Sequence, residues 1–335
     1  RFPSQFQAAG LTHNTTVGWD LYDYRLENRS AAGKGDIGDP TSTKDLDQRQ
    51  TAWYFHDVMT LDRWSFTLGA RRLNVDTETE TTGFSAGQGE DSQDAEMYEG
   101  GVRYHFDGGL DVFAGAQRSV RIVNADEITP DDELLEPQTG EQYTLGASWQ
   151  KGIQTSTLTA WQGRFDNEIV FNPYAGGFGS NVNLEDRTLR RGVSLNSRWR
   201  LDRDLTLVLN GTLQRAEFDE GEWEGNDVPL VSRQLFYAQA NWQALPWLEL
   251  SLAHRYVGKR RFDNGQPNDF QQIDSYRMTD LEATARYQNA YLRIGAYNLE
   301  DELAADYGVK ATNNLSYNAY PLPERHYRVS LGMEF

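Results

Sequence analysis

Cysteine is absent from the 335 residues. That removes disulfides, thiolate metal sites and cysteine nucleophiles. No run approaches the roughly 18 consecutive apolar residues that a membrane-spanning helix needs. Basic residues are scarce, 32 Lys and Arg against 50 Asp and Glu, for a net charge of -18. Nucleic acid is therefore excluded as a partner, because phosphate binding needs a basic footprint. The five histidines are His13, His56, His105, His254 and His326. None lies three or four residues from another, and no H-E-x-x-H is present, so a side-chain metal centre is not expected. The sequence opens on Arg1 with no Met, no charged n-region and no apolar h-region. The expectation is a removed leader or the C-terminal piece of a longer protein. A mean hydropathy of -0.70 reads as soluble for every class but one. In membrane β-barrels only alternate strand residues need be apolar.

What is present is alternation. Tyr98, Gly100, Val102, Tyr104 and Phe106 interleave with Glu99, Gly101, Arg103 and His105. Leu205, Leu207, Leu209 and Leu213 interleave with Thr206, Asn210, Thr212 and Gln214, and Leu248, Leu250 and Leu252 with Glu249, Ser251 and Ala253. Tyr327, Val329, Leu331, Met333 and Phe335 interleave with Arg328, Ser330, Gly332 and Glu334. A period of two places each set on one face of a sheet, and no helical period of comparable strength occurs. Short turn signals fall at Asp62-Arg63, 107–109, 150–152, 202–204, 244–246 and Gln288-Asn289. Between them lie long polar stretches at 27–49, 74–95, 119–141, 165–187, 216–233, 257–275 and 299–325. Short and long connections alternate along the chain, as in outer-membrane barrels with short periplasmic turns and long outer loops. Trp64, Phe106, Trp149, Trp199, Trp242, Trp247, Tyr287 and Tyr291 cluster near the short turns, where a membrane–water boundary favours rings with a polar edge. The faces opposite the apolar ones carry Glu99, Arg103, Arg198, Glu249, Arg255, Glu282, Arg286, Arg293 and Glu334. So many charges fit a wide, wet lumen and not a filled small barrel. The expected fold is all-β, an antiparallel transmembrane β-barrel with about 14 strands in view. A soluble β-sandwich would use the same alternation but would scatter its aromatics and impose no rule on loop length.

The segment 83–87 reads G-F-S-A-G, the string of a nucleophile elbow. That motif needs a strand-to-helix turn with acid and histidine partners. Here it lies in an acidic stretch between two antiparallel strands, so no enzyme is expected. Carboxylates crowd the connections: Glu78, Glu80, Glu90, Asp91 and Asp94; Asp131, Asp132 and Glu133; Glu217, Asp219, Glu220, Glu222, Glu224 and Asp227. They read as a solvated, repulsive surface, with Ca²⁺ at these acidic outer loops the single cofactor candidate. Loop aromatics are the first candidates for ligand contact: Phe171, Tyr174 and Phe178 in a Gly-rich segment, and Trp223, Phe262 and Phe270 elsewhere. Lys259, Arg260 and Arg261 form the one basic run among the loops, suited to attract an anionic chelate into a negative mouth. The expected substrate-binding set is Phe171, Tyr174, Phe178, Trp223, Arg260 and Arg261.

Four stretches resemble the TonB-dependent outer-membrane receptors. The segment 135–146, L-E-P-Q-T-G-E-Q-Y-T-L-G, is similar to the L-x-P-E-x-G-x-x-x-E-L-G lead-in of a mid-barrel strand. Asn124 to Glu127 resembles the loop just upstream of it. Asn298-Leu299-Glu300-Asp301-Glu302 resembles the N-L-F-D-x-x-Y element before the last loop, with Glu300 where an aromatic is common. Arg325 to Phe335 resembles the final strand. The resemblance implies the C-terminal section of a 22-stranded barrel, residues 1–335, whose plug domain and energy-coupling box lie upstream. It also implies active import of a ferric siderophore or other metal chelate across the outer membrane of a Gram-negative bacterium, powered through TonB. The partners would be the ligand, the plug, TonB and outer-membrane lipid. The Phe-Arg-Ala-Pro segment typical of haem receptors is absent at 117–123. The alternatives are a complete fourteen-stranded passive channel, an outer-membrane hydrolase, and a soluble β-sandwich.

Overall fold

The computed structural model describes residues 2–334 apart from 34–37, 84–86, 125–126, 128–134, 173–178 and 312–315. The described elements are all strands: β1 (Phe2–Ala8), β2 (Leu11–Ser30), β3 (Ser42–Leu61), β4 (Trp64–Thr81), β5 (Gly87–His105), β6 (Leu110–Arg121), β7 (Gln138–Lys151), β8 (Gln154–Asp166), β9 (Ile169–Asn172), β10 (Ser180–Asn183), β11 (Thr188–Arg200), β12 (Leu205–Phe218), β13 (Gln234–Leu245), β14 (Leu248–Val257), β15 (Arg260–Arg261), β16 (Gln272–Ile273), β17 (Tyr276–Tyr287), β18 (Ala290–Tyr297), β19 (Ala305–Lys310), β20 (Tyr317–Pro321) and β21 (His326–Met333). Fifteen of them pair as neighbours in chain order in one sheet. The pairs β9/β10, β15/β16 and β19/β20 stand apart as small hairpins within connections. The main sheet holds one strand more than expected. The addition is β1, joined to β2 by Ala9 and Gly10 at φ of 53° and 80°, the two-residue turn that matches the twist of paired strands.

Two compact units are distinguishable: Arg1–Tyr104 with Ala114–Tyr143 and Gly163–Arg187, and His105–Phe113 with Thr144–Gln162 and Thr188–Phe335. In the first, one face of β2–β5 carries Val17, Trp19, Trp53, Phe55, Leu68 and Tyr98, all exposed. The opposite face is polar: Arg71 pairs with Asp20 at 3.0 Å and His56 with Glu99 at 3.5 Å. One carboxylate, Asp57, stands among these apolar side chains, opposite Leu68 and Thr15. It is buried and accepts hydrogen bonds from His13 at 2.7 Å and Thr15 at 2.8 Å. Phe6 stacks on His13 at 4.8 Å, covering the pair. Burying an ionisable group against hydrocarbon requires such a partner.

The stretches 27–49 and 74–95, expected as loops, are instead mostly strand, since β2 and β3 each run 20 residues, β4 runs 18 and β5 runs 19. Trp53 and Leu61 enclose the apolar part of β3; eight residues there rise roughly 26 Å along the strand. At a tilt of about 40° that spans about 20 Å of the membrane normal, somewhat less than the roughly 25 Å apolar band of such barrels. Beyond the Trp19–Trp53 ring pair, 6.1 Å apart, the strands continue for several more rows. Asp23 lies opposite Arg49, Arg49 opposite Asp76, Arg25 opposite Asp47, and Glu78 opposite Glu90. These rows are charged because no lipid meets them. Leu46, at 0% exposure, packs on their other face with Val123 and Leu135, and Ala52, Leu73, Val75 and Ala95 form a second small cluster. The buried core of this unit therefore lies largely beyond the apolar band.

In the second unit the alternation is equally clear. Tyr327, Val329, Leu331 and Met333 are 61–79% exposed along one face of β21, and Leu207 and Leu250 are part-exposed. None of these leucines is enclosed between stacked layers, so the sandwich alternative fails. The other face carries ion pairs, Glu249 with Arg286 and Glu282 with Arg293, both at 3.2 Å. Of the eight rings expected at the boundary, Trp64 in the first unit and Phe106, Trp149, Trp242, Trp247 and Tyr287 in the second are 43–76% exposed beside the tight turns, while Trp199 and Tyr291 are half-buried.

Candidate functional site

The loop-side end of the second unit is a platform built from three connections, 219–233, 258–275 and 298–325. Side chains and backbone lock the first two together. Asp227 donates its amide to the Asn268 side-chain oxygen at 3.0 Å, and the Asn268 amide group donates back to the Asp227 carbonyl at 2.9 Å. Asn226 donates to the Gln266 carbonyl at 3.0 Å, and the Leu230 amide to that of Arg261 at 3.0 Å. The second and third connections share backbone bonds from Asp263 to Gly308 at 2.9 Å and from Lys310 to Asp263 at 3.0 Å. Tyr307 adds its hydroxyl to Asp263 at 2.6 Å, and the buried Lys310 ammonium meets Asp269 at 3.2 Å. Burial, and then the hydrogen bond to the Asp263 carboxylate, push the Tyr307 phenol up from its ordinary value.

At the foot of the third connection stands Asn298, 2% exposed. Its side-chain nitrogen donates to the carbonyls of Glu302 and Pro323, and its side-chain oxygen accepts the Glu302 amide at 2.9 Å. The N-L-E-D-E stretch is thus a hub that closes both ends of the loop carrying β19 and β20.

The expected basic run is divided by the structure. The Arg260 side chain is 3% exposed. Its guanidinium donates to the carbonyls of Ala305, Asp306 and Gly258 and lies over the Tyr276 ring at 5.8 Å. It is a structural clamp on the β19–β20 hairpin, engaged within the protein. Arg261 donates to the carbonyls of Asn268 at 3.2 Å and Phe270 at 3.0 Å. Lys259 stays exposed, paired with Asp274 at 3.0 Å. A cavity of about 520 Å³ is lined by Arg233, Lys259, Arg260 and Arg261 together with Asp227 and Tyr256. Arg233 pairs with Asp227 at 2.6 Å and Arg260 with Asp306 at 3.4 Å, which leaves Arg261 with no carboxylate partner among the described residues and a lining of net positive charge in a chain of net charge -18, a local field attractive to anions.

Rings surround the same platform. Phe262, 4% exposed, packs on Phe270 at 5.7 Å and Tyr317 at 4.8 Å. Tyr317 and Tyr320 remain 47% and 60% exposed, and Tyr307 meets Tyr320 at 5.3 Å. Trp223 is part-exposed and packs edge-on against Phe218 at 5.6 Å. Phe171 belongs to the first unit, on β9, and is 45% exposed. Gly179, at φ +86°, leaves the space that its ring fills; an added Cβ would stand 2.4 Å from it. Tyr174 and Phe178 lie outside the described residues, as do Asp131, Asp132, Glu133 and Ser85. Arg260, Arg261 and Trp223 thus fall on one platform, although only the two arginines line the cavity. The tyrosines at 307, 317 and 320 complete the platform and were not singled out from the sequence. Among the described residues no three His, Asp or Glu side chains converge as a metal site; Glu217 and Asp227 instead accept arginines.

An antiparallel sheet with one apolar exposed face, one charged face, tight turns at one end and a loop platform at the other defines an outer-membrane β-barrel wall. The family described as TonB dependent receptor-like, β-barrel, matches residues 2–299, and the chain belongs to it. The ferrioxamine receptor of Yersinia enterocolitica is 24% identical over 303 residues, covering 85% of this chain and 40% of that receptor. Among solved structures, the ferric citrate transporter FecA superposes with a TM-score of 0.81 at 16% identity, covering 99% of this chain and 53% of that one. The siderophore receptor PiuA of Acinetobacter baumannii gives a TM-score of 0.79 at 17% identity, covering 98% and 54%. The chain thus spans about half the length of the relatives it matches, or less.

Proposed function

We propose that this chain forms the C-terminal part of the barrel of a receptor that imports a ferric siderophore, or a comparable metal chelate, across the outer membrane. The plug would be supplied from upstream and the energy by TonB. Family membership supports this reading, and so do the relatives, which are named for ferrioxamine, ferric citrate and siderophores. The role of the wall follows from its two faces. The apolar side chains meet hydrocarbon, and the ion-paired side chains line a polar lumen able to hold a plug.

The observation that carries the ligand reading is the cationic cavity of about 520 Å³ on a platform that also exposes Tyr317 and Tyr320. Cations would draw in a chelate whose outer surface is anionic, and rings would grip it with little loss of side-chain freedom. Arg261, Lys259 and Arg233 are the groups proposed to face the chelate, with Trp223 and Phe171 as ring contacts on their own loops. Arg260 acts by positioning the hairpin. Titration of the full-length receptor with ferric citrate tests the assignment. Arg233→Ala with Lys259→Ala should weaken binding about tenfold at low salt and less at high salt. Equal affinity at every ionic strength would remove the cavity from the ligand path.

A further inference from the structure

The apolar face of the second unit is not uniform. On neighbouring strands, Gly211 of β12 stands opposite Phe236 of β13, and Leu209 opposite Ala238. Two small residues among large ones leave a groove of about 380 Å³, lined by Val193, Leu195, Leu209, Leu213 and Phe236 with His254 at one end. A Cβ at position 211 would sit 3.1 Å from the Phe236 ring, so the groove is kept open by the glycine. Its side chains belong to the alternate set that faces hydrocarbon.

Cations rim this groove on the loop side. Arg191 and Arg215 are directly paired across β11 and β12, two positions beyond Val193 and Leu213 on the same face. Both lean on a single carboxylate, Glu217, at 3.0 and 2.8 Å. Two guanidiniums on one carboxylate leave one positive charge uncompensated. Their side chains are 51% and 44% exposed, whereas that of Glu217 is 12% exposed. Past the stacked Phe236 and Tyr256 rings, 6.2 Å apart, Arg277 occupies the register position opposite Tyr256. It is exposed and makes no ion pair with any described residue. An apolar groove capped by arginines on two sides, within a chain of net charge -18, has the polarity of an anionic amphiphile.

We propose that this surface is a specific seat for a phosphorylated, multiply acylated glycolipid of the outer leaflet, of the lipid A type. One acyl chain lies along Leu209, Gly211 and Leu213. One phosphate takes the spare guanidinium donors of Arg191 and Arg215, since paired arginines match phosphate oxygens bidentately. Arg277 meets the second phosphate. Two cationic positions separated by a ring pair fit a lipid with two phosphates better than a glycerophospholipid with one. Occupancy of this seat is independent of which chelate the receptor carries.

Native mass spectrometry of the full-length receptor in detergent tests the proposal, with bis-phosphorylated lipid A and phosphatidylglycerol as probes. Heat-modifiable gel migration verifies that each variant is folded. The unmodified receptor should retain one lipid A at concentrations where phosphatidylglycerol is lost. Arg191→Ala with Arg215→Ala should lower lipid A retention at least about tenfold. Gly211→Leu, which fills the groove and leaves the arginines in place, should lower it as well. Equal retention of both lipids, no retention of lipid A, or retention unchanged in both folded variants would overturn it.

Discussion

The hydroxyl of Tyr307 donates to Asp263 at 2.6 Å, and this bond joins two loops that are also linked by two backbone hydrogen bonds, a buried lysine, the Arg260 guanidinium and the packing of Phe262 on Tyr317. One of the links across this junction therefore depends on a phenol that keeps its proton. Burial and the neighbouring carboxylate raise its pKa above that of free tyrosine, which is about 10. A raised value means that the bond is fully in place below the unfolded pKa and is lost as pH climbs through the folded one. The protection factor at residues 305–310, that is the intrinsic base-catalysed exchange rate over the observed rate, should hold to about pH 10 and fall above it. Tyr307→Phe should lower the protection at neutral pH and remove that further alkaline fall. Identical pH profiles for the two proteins would show that the bond does not hold the loops together.

Arg260 should behave as a clamp. Replacing it with Met removes several charge-assisted hydrogen bonds to one buried and two part-exposed carbonyls, each bond worth about 1.5–3 kcal/mol at most. Protection of the β19–β20 hairpin against exchange should fall roughly 30-fold or more, equivalent to about 2 kcal/mol. Arg260→Lys should not restore it, because an ammonium cannot span the carbonyls of Gly258 and Ala305 together. Full protection in the lysine variant would mean that charge alone suffices.

The two faces of β21 should respond in opposite ways to one substitution. Leu331, 79% exposed, faces hydrocarbon; Ser330 points to the opposite face. Leu331→Arg should destabilise the folded barrel in lipid vesicles by about 2–4 kcal/mol, while Ser330→Arg should cost about 1 kcal/mol or less. Denaturant titration of the full-length protein reads both. Equal costs would mean that the face assignment fails.

Asn298 should act on loop order and not on the wall. Asn298→Ala strands the carbonyls of Glu302 and Pro323 and the Glu302 amide, at about 1–3 kcal/mol for each buried group left unpaired. Limited proteolysis should then cut within 299–325 well before the strands. Unchanged cleavage would show that the hub is dispensable.

How far the sequence can be read follows from these same particulars. Where a strand meets lipid, one residue in two must be apolar, so Val329, Leu331 and Met333 announce their face and the turns between strands stand out. Once β2 to β5 leave the lipid, that requirement ends. Asp23, Arg49, Asp76, Glu78 and Glu90 then follow one another on rows held by backbone pairing, and polar residues with no period read as loop. β1 was missed because a seven-residue strand holds too few apolar positions to set a period. Lys259, Arg260 and Arg261 are alike in sequence. Their different fates depend on carbonyls of Ala305 and Asp306 that only the fold brings near. Tyr307, Tyr317 and Tyr320 gave no signal for a similar reason, since their grouping depends on the register of a hairpin inside a long connection. The Asn298 stretch was legible as a family resemblance, and its physical reason, a buried amide closing both ends of a loop, required coordinates.

The most direct test of the central claim is energised uptake by cells carrying the full-length receptor, measured with a radioactive ferric siderophore before and after collapse of the proton-motive force. A plugged, TonB-coupled barrel predicts saturable uptake that stops when the force is collapsed. Entry that rises in proportion to external concentration and continues without the force would contradict it, and would identify the wall as that of a passive channel.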